Sequence, residues 1–317
     1  MLARGPLPRS EVRGPTLGDV RPAFDDVLHV PVAAGHVVVH HRAAPGRPAA
    51  LLAHGTGFCA ATWTGVVEQL AGRFDLFAVD RRGHGASSAP ADAYDFTDFA
   101  DDAVRVIDAL GLQDAFAIGH SAGATDLLLA AASRPAAFRR MFVMEPTAMD
   151  PAEPGVRAHL APAHAETLDA FARRRATFPS RAAVAERYEG RGVFAGWQPG
   201  VLVAFVEAGF AEVADGSVTL RCTPVNEVAM LRSIFAAMEG TYRTGEGANP
   251  FSSLGLVHCP VTVATTEHSQ DIYKDMAAVA ARLLPDVTQV HFDGLGHVAP
   301  MVDPVRVADE VIRCWQG

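Results

Sequence analysis

Ser121 lies in Gly119-His120-Ser121-Ala122-Gly123, a G-x-S-x-G run set between a segment that reads as a strand, 115–119, and one that reads as a helix, 121–133. A serine hydroxyl is a poor nucleophile until a base takes its proton, and a tight strand-to-helix turn can lift the hydroxyl clear of the backbone. Such a turn needs small residues, because a side chain at Gly119 or Gly123 would collide with neighbouring backbone. The helix that opens at the serine leaves N–H groups unpaired in its first turn, and these favour the negative charge that develops on an attacked carbonyl oxygen. Ala122 N–H is therefore the first candidate oxyanion donor.

An oxyanion site normally uses two donors. His54-Gly55-Thr56-Gly57 closes an early apolar run with a Gly-rich turn, and Thr56 N–H is the candidate second donor, with Gly57 the alternative. The candidate base is His297, in Gly294-Leu295-Gly296-His297, because an imidazole can take the serine proton near neutral pH and later return it to the leaving group. The chain has 13 histidines, and His297 is set apart by its Gly-rich loop and its place after the nucleophile in the chain.

The elements that must position these residues follow from hydrophobic patterning. Two β-rich runs over 27–41 meet at Ala34-Gly35. Strands at 50–55, 75–80, 115–119 and 140–144 then alternate with helices at 63–70, 96–110 and 121–133. Asp98, Asp101 and Asp102 suit the positive end of the 96–110 helix. Short connections between alternating strands and helices imply a parallel sheet with helices on both faces. The alternation breaks over 147–254, where helical stretches at 164–176, 199–213 and 225–239 read as an inserted helical cap. It resumes with strands at 261–265 and 288–292 around a helix at 271–284, then a closing helix at 305–314. The chain thus divides into an N-terminal arm (1–26), a first core part (27–146), a cap (147–254) and a second core part (255–317). Gly57, Phe58, His120, Met149 and Trp197 are candidate pocket residues. Most other cap aromatics, Phe171, Phe178, Phe205, Phe210 and Phe235, read as ordinary packing.

Taken together, HGTG at 54–57, Asp80-Arg81-Arg82-Gly83-His84-Gly85-Ala86-Ser87, GHSAG at 119–123 and GLGH at 294–297 resemble the α/β-hydrolase family over residues 27–146 and 255–317. The resemblance implies an α/β fold with a mostly parallel central sheet and flanking helices, Ser121 as nucleophile, His297 as base, no cofactor, and a structural role for 80–87, so His84 receives no catalytic part. The sequence departs from the family at the acid. The slot where members usually place an aspartate falls in Thr265-Thr266-Glu267-His268-Ser269 and holds Ser269, which cannot orient an imidazole as a carboxylate does. Glu145, in Met144-Glu145-Pro146, resembles the acid of zearalenone-lactonase-like and some haloalkane-dehalogenase-like members. Glu267 and Asp271 are its rivals, and Asp271 is expected to cap a helix instead. The implied activity is hydrolysis of a small carboxylic ester or lactone through an acyl-enzyme. The alternatives are C–C bond hydrolysis of a vinylogous diketone and ligand sensing on the same scaffold. A serine at position 121 argues against the dehalogenase and epoxide hydrolase chemistries, which use an aspartate there.

Composition sets outer bounds. With 49% apolar and 20% charged residues among 317, the chain is an ordinary globular protein. A formal net charge of -9 without a basic stripe argues against a nucleic-acid binder, and Arg173, Arg174 and Arg175 are expected on a solvated helix face. Cys59, Cys222, Cys259 and Cys314 are far apart, with neither a CxxC pair nor metal-ligand spacing, so reduced thiols and no metal are expected. The first 25 residues lack the apolar core of a secretory signal, and no apolar run suits a membrane span, so a cytoplasmic location without membrane attachment is expected.

Overall fold

The β-branched runs near the N-terminus form strands β1 (Asp26–Val32) and β2 (Gly35–Arg42), paired antiparallel from Asp26↔His41 to Val32↔Gly35. The computed structural model describes residues 23–33, 35–150, 163–240 and 249–317. Residues 1–22 of the expected arm, and 151–162 and 241–248 of the expected cap, lie outside the described residues. Phe24 packs against the apolar cluster on one face of the sheet, so the last residues before β1 belong to the core.

Strand β3 (Ala49–Ala53), helix α1 (Thr64–Leu70), β4 (Asp75–Asp80), α2 (Phe96–Leu110), β5 (Ala115–His120), α3 (Ala122–Ser133) and β6 (Phe138–Met144) follow in the expected alternation. After the inserted segment come β10 (Val261–Thr266), α8 (Asp271–Leu283), β11 (Val287–Phe292), α9 (Ala299–Val302) and α10 (Pro304–Gln316). The strands order as β1-β2-β4-β3-β5-β6-β10-β11. Pairing is antiparallel at β1/β2 and β2/β4 and parallel from β4 onward, giving the mostly parallel sheet the sequence implies.

Strand periodicity builds the two layers of core. Successive side chains point to opposite faces of a sheet. Leu51, Ala53, Phe77, Val79, Ala117, Met141 and Val143 therefore enter the cluster under α2, α3 and α8. Their neighbours Ala50, Leu52, Leu76, Ala78, Phe116, Ile118 and Phe142 enter the cluster under α1 and α10. Leu51, Leu52, Phe116 and Ile118 are fully buried, and each such side chain contributes roughly 1.5–3 kcal/mol by leaving water.

The inserted segment is not purely helical. It holds α4 (Ala163–Ala172), α5 (Arg181–Tyr188), α6 (Pro199–Gly209) and α7 (Pro224–Met238), together with β7 (Thr177–Phe178), β8 (Phe210–Glu212) and β9 (Val218–Leu220). The three strands form a small antiparallel sheet ordered β7-β9-β8. The expected helix over 199–213 therefore stops at Gly209. Asp215-Gly216, with Gly216 at φ +84, closes the β8–β9 hairpin through Ser217 N–H to Asp215 Oδ1 at 2.9 Å and Val213 N–H to Ser217 O at 2.8 Å. That Asp-Gly pair is the turn signal which marks the hairpin in the sequence. Helix α5 lies between the helical stretches read from the sequence. Ser180 caps it, accepting from Ala183 N–H at 3.2 Å. Trp197, Phe205, Phe210 and Tyr188 of the segment form one apolar cluster with Cys59 and Met301 of the core.

The four cysteines are free. Among the described residues, no helix is long and apolar enough to cross a membrane.

Candidate active site

Ser121 stands between the last residue of β5 and the first of α3, at φ 55 and ψ -129. A non-glycine residue at such angles costs on the order of 1–3 kcal/mol and persists only where its surroundings hold it. Here Ser121 N–H donates to Met144 O at 2.9 Å, and Ser121 O accepts from Ala124 N–H at 3.0 Å. The flanking glycines are obligatory. A Cβ on Gly119 would stand 2.4 Å from Ala124 Cα, and one on Gly123 would stand 2.4 Å from His54 O.

His297 Nε2 lies 3.1 Å from Ser121 Oγ, and His297 Nδ1 lies 2.5 Å from Glu145 Oε2. The structure thus brings together three residues that the sequence scatters over 177 positions. Glu145 follows β6 at φ 46 and is fully buried. Its Oε1 accepts from Thr266 N–H at 2.9 Å and Thr266 Oγ1 at 2.8 Å, and its Oε2 accepts from Ser269 Oγ at 2.6 Å. Burial alone would raise the Glu145 carboxyl, but hydrogen bonds from His297, Ser269 and Thr266 and the His297 charge outweigh it and hold the group below its ordinary range.

Neither rival acid meets His297. Glu267 turns outward and accepts from Gly294 N–H at 2.7 Å. Asp271 is the first residue of α8 rather than its cap: Gln270 occupies the cap position without a side-chain bond. The expected capping role of Asp271 is therefore corrected by one residue of helix register.

Two rings lie against the His297 imidazole. Tyr273, in the first turn of α8, stacks on it with centroids 3.7 Å apart and planes 12° apart. His120 is tilted at 4.8 Å and 45°. His120 Nε2–H donates to His297 O at 2.7 Å. Burial, then the neighbouring His297, pushes the His120 imidazole down to about 3, so it is neutral.

The His54-Gly55-Thr56-Gly57 loop is fixed by two buried histidines. His84 Nε2 accepts from Gly57 N–H at 3.0 Å, and His84 Nδ1–H donates to Arg82 O at 2.9 Å. His54 Nδ1–H donates to Gly55 O at 2.8 Å, and His54 Nε2 accepts from Arg81 N–H at 3.1 Å. Burial is the main cause that lowers both, His54 to about 4 and His84 well below its ordinary value. Both roles require the neutral ring. Because Gly57 N–H is committed to His84, it is not available as the alternative oxyanion donor. Thr56 N–H and Ala122 N–H make no hydrogen bond among the described residues, and both residues line one cavity.

That cavity is walled by Tyr94, Phe96, Phe99, Met230 and Ile234, with Arg81 and Ser233 as its polar members. Arg81 is pinned by Asp126 on α3 through Nε at 2.5 Å and Nη2 at 3.2 Å, beneath the Phe99 ring. Its neighbour Arg82 is pinned by Asp102 at 2.6 and 2.7 Å, so Asp102 serves an ion pair rather than the helix dipole.

Each of the five candidate pocket residues has a defined packing environment. Met149 is fully buried in the core under α2 and α3, and His120 is buried beneath His297. Phe58 and Trp197 pack on each other at 5.5 Å in the cluster that joins the inserted segment to the core. Gly57, at φ +83, lies under the Glu227 carboxylate; a Cβ there would stand 2.6 Å from Glu227 Oε1. Arg174 holds that carboxylate at 2.8 and 3.0 Å, so it is a buried-pair residue rather than part of a solvated face. Helix α4 ends at Ala172, and the three arginines leave it in different directions, Arg173 to Asp169 and Arg175 to Thr177 O.

A sequence model described as the alpha/beta hydrolase family matches residues 50–310. The chain is 32% identical over 123 residues to 2-(acetamidomethylene)succinate hydrolase of Mesorhizobium japonicum, covering 39% of this chain and 44% of that protein. It is 36% identical over 108 residues to a putative carbamate hydrolase RutD of Caulobacter segnis, covering 33% and 40%. Both matches span less than half of the relative's own length. Among solved structures, the chain superposes on the crystal structure of E-2-(acetamidomethylene)succinate hydrolase with a TM-score of 0.72 at 23% identity, over 92% of this chain and 99% of that one. The thioesterase domain from the curacin biosynthetic pathway gives 0.70 at 18%, over 90% and 99%. At these identities the likeness to the two structures is one of fold.

Proposed function

The chain belongs to the alpha/beta hydrolase family, and from that membership we propose that it cleaves a carboxylic ester or lactone through an acyl-enzyme formed on Ser121. The observation that carries this reading is the unbroken line from Ser121 Oγ to His297 Nε2 (3.1 Å) and from Nδ1 to Glu145 Oε2 (2.5 Å), together with the Thr56 and Ala122 N–H groups, which make no hydrogen bond among the described residues.

His297 Nε2 takes the Ser121 hydroxyl proton as Oγ bonds to the substrate carbonyl carbon. The carbonyl oxygen becomes an anion held by Thr56 and Ala122 N–H. Glu145 keeps the proton on Nδ1 of the neutral ring and offsets the charge of the imidazolium. The imidazolium then protonates the departing alkoxide as the C–O bond breaks, leaving an ester on Ser121. A lactone would keep its alkoxide tethered and end as a hydroxy acid. Water, deprotonated by His297, attacks the acyl-enzyme through a second oxyanion and frees the acid and Ser121. The apolar side chains beside the proposed oxyanion donors, Phe96, Phe99, Met230 and Ile234, suit contact with an uncharged part of a small substrate.

The names of the relatives favour one further reading. An acetamidomethylene compound and a carbamate both contain an acyl–nitrogen bond, and the same residues serve if the leaving atom is nitrogen. A panel of p-nitrophenyl esters, lactones, an anilide, a carbamate and a vinylogous diketone separates the classes. Many turnovers on esters or lactones are expected. Turnover confined to the nitrogen compounds or to the diketone would replace the substrate class, and a single stoichiometric reaction without release would make the protein a sensor.

A further inference from the structure

An imidazole that serves as base must hold its plane while its partners change. The terminal torsion of a histidine is broad, so hydrogen bonds at the two nitrogens are its ordinary restraints. In the acyl-enzyme one of them is lost, because Ser121 Oγ is esterified and has no proton to share with Nε2. Of these two hydrogen bonds, the one to Glu145 at Nδ1 then remains to orient the ring for the attacking water.

Tyr273 supplies what is missing. Its ring lies 3.7 Å from the imidazole, almost parallel at 12°, a contact that does not depend on the protonation or acylation of Ser121. The ring is itself fixed. Tyr273 N–H donates to Gln270 O at 3.0 Å in the first turn of α8, and the side chain packs against the core cluster under that helix. The same short segment brings Thr266 and Ser269 to the Glu145 carboxylate, so residues 266–273 support both the acid and the base.

We propose that Tyr273 is a positioning residue for His297, whose stacked ring fixes the imidazole plane through acylation and deacylation and whose π face favours the imidazolium that forms in each step. The inference rests on the reading of His297 as the base. Stacked aromatic pairs and cation–π contacts are small effects individually, so the expected loss is a reduced rate rather than an inactive protein.

The test compares wild type with Tyr273→Phe, Tyr273→Leu and Tyr273→Met, following the burst and steady-state release of p-nitrophenol from p-nitrophenyl acetate, with Ser121→Ala alongside. Tyr273→Phe keeps the stack and is expected within about twofold of wild type. Tyr273→Leu and Tyr273→Met should lower kcat about three- to tenfold with KM within about twofold, the steady state falling at least as far as the burst. The ring protons of His297 should show an upfield NMR shift in wild type and Tyr273→Phe that is lost in Tyr273→Leu. Wild-type kcat in both aliphatic variants would overturn the proposal, as would Tyr273→Phe falling as far as they do, which would assign the effect to the hydroxyl. If Ser121→Ala keeps its burst, the reading of the site has failed instead.

Discussion

Ser269 Oγ donates a 2.6 Å hydrogen bond to Oε2 of Glu145, the same oxygen that meets His297 Nδ1 at 2.5 Å. The position where the acid is usual thus holds a hydroxyl that binds an acid arriving from the neighbouring strand. Replacing Glu145 by Gln keeps the shape but removes the charge, and kcat should fall by roughly four orders of magnitude, as loss of a triad carboxylate's charge does elsewhere. Ser269→Ala removes one charge-assisted hydrogen bond, on the order of 1.5–3 kcal/mol, and should cost about tenfold in kcat/KM. Steady-state kinetics on one ester checks both; a Ser269→Ala loss as large as that of Glu145→Gln would contradict the assignment of roles.

Gly123→Ala tests the elbow. The added methyl would stand 2.4 Å from His54 O, a backbone atom just after β3 that cannot swing aside as a side chain could. Overpacking of this kind costs at least about 1–3 kcal/mol, and here it displaces the helix that carries Ser121. Urea denaturation of any soluble variant should show that loss together with loss of activity. A wild-type midpoint would contradict the packing described.

Arg174 and Glu227 form a pair whose carboxylate sits over Gly57, with side-chain exposures of 25% and 4%. Burial already raises the Glu227 carboxyl in spite of Arg174. Removing the cation alone should therefore cost on the order of 3–5 kcal/mol, less what protonation of Glu227 recovers. Arg174→Met combined with Glu227→Leu should cost less than Arg174→Met alone. Equal and additive losses in urea titrations would show that the two groups are independent.

Acid should destabilise the protein through its buried histidines. His54 is held at about 4, His120 at about 3 and His84 well below its ordinary value, in each case chiefly by burial. An unfolded imidazole titrates near 6.5. Below that pH the unfolded chain binds protons that the folded chain refuses, so the stability these groups give is present above about pH 6.5 and lost as pH falls toward 4 and 3. Each contributes a slope of at most about 1.4 kcal/mol per pH unit. Urea midpoints at pH 7.5 and 5.0 measure the effect, and an unchanged or higher midpoint at pH 5.0 would refute it.

The parts of the site legible in the sequence are those whose signal is local. Gly119, Ser121 and Gly123 carry their own turn geometry, and His297 is marked by its glycine loop. Glu145 could be reached because Ser269 stood where a carboxylate was wanted. What failed depends on contacts between distant residues. Arg174 reads as solvated until Glu227, 53 positions away, is placed against it. His120 meets the backbone oxygen of His297, 177 positions away, and nothing near Tyr273 in the sequence announces His297. The strands β7 to β9 are two or three residues long, too short for periodicity to separate from the helices beside them, and the Asp215-Gly216 turn signal does not enter the helical reading of the segment.

The central claim is that Ser121 is the nucleophile. The most direct measurement is reaction with a fluorophosphonate probe followed by peptide mapping by mass spectrometry, because only a hydroxyl activated by a base beside oxyanion donors reacts quickly with such an electrophile. One adduct per chain is expected, on the peptide containing Ser121, and it should vanish in Ser121→Ala while slowing strongly in Glu145→Gln. Stoichiometric labelling of Ser121→Ala at the wild-type rate, or an adduct on another residue, would contradict the account.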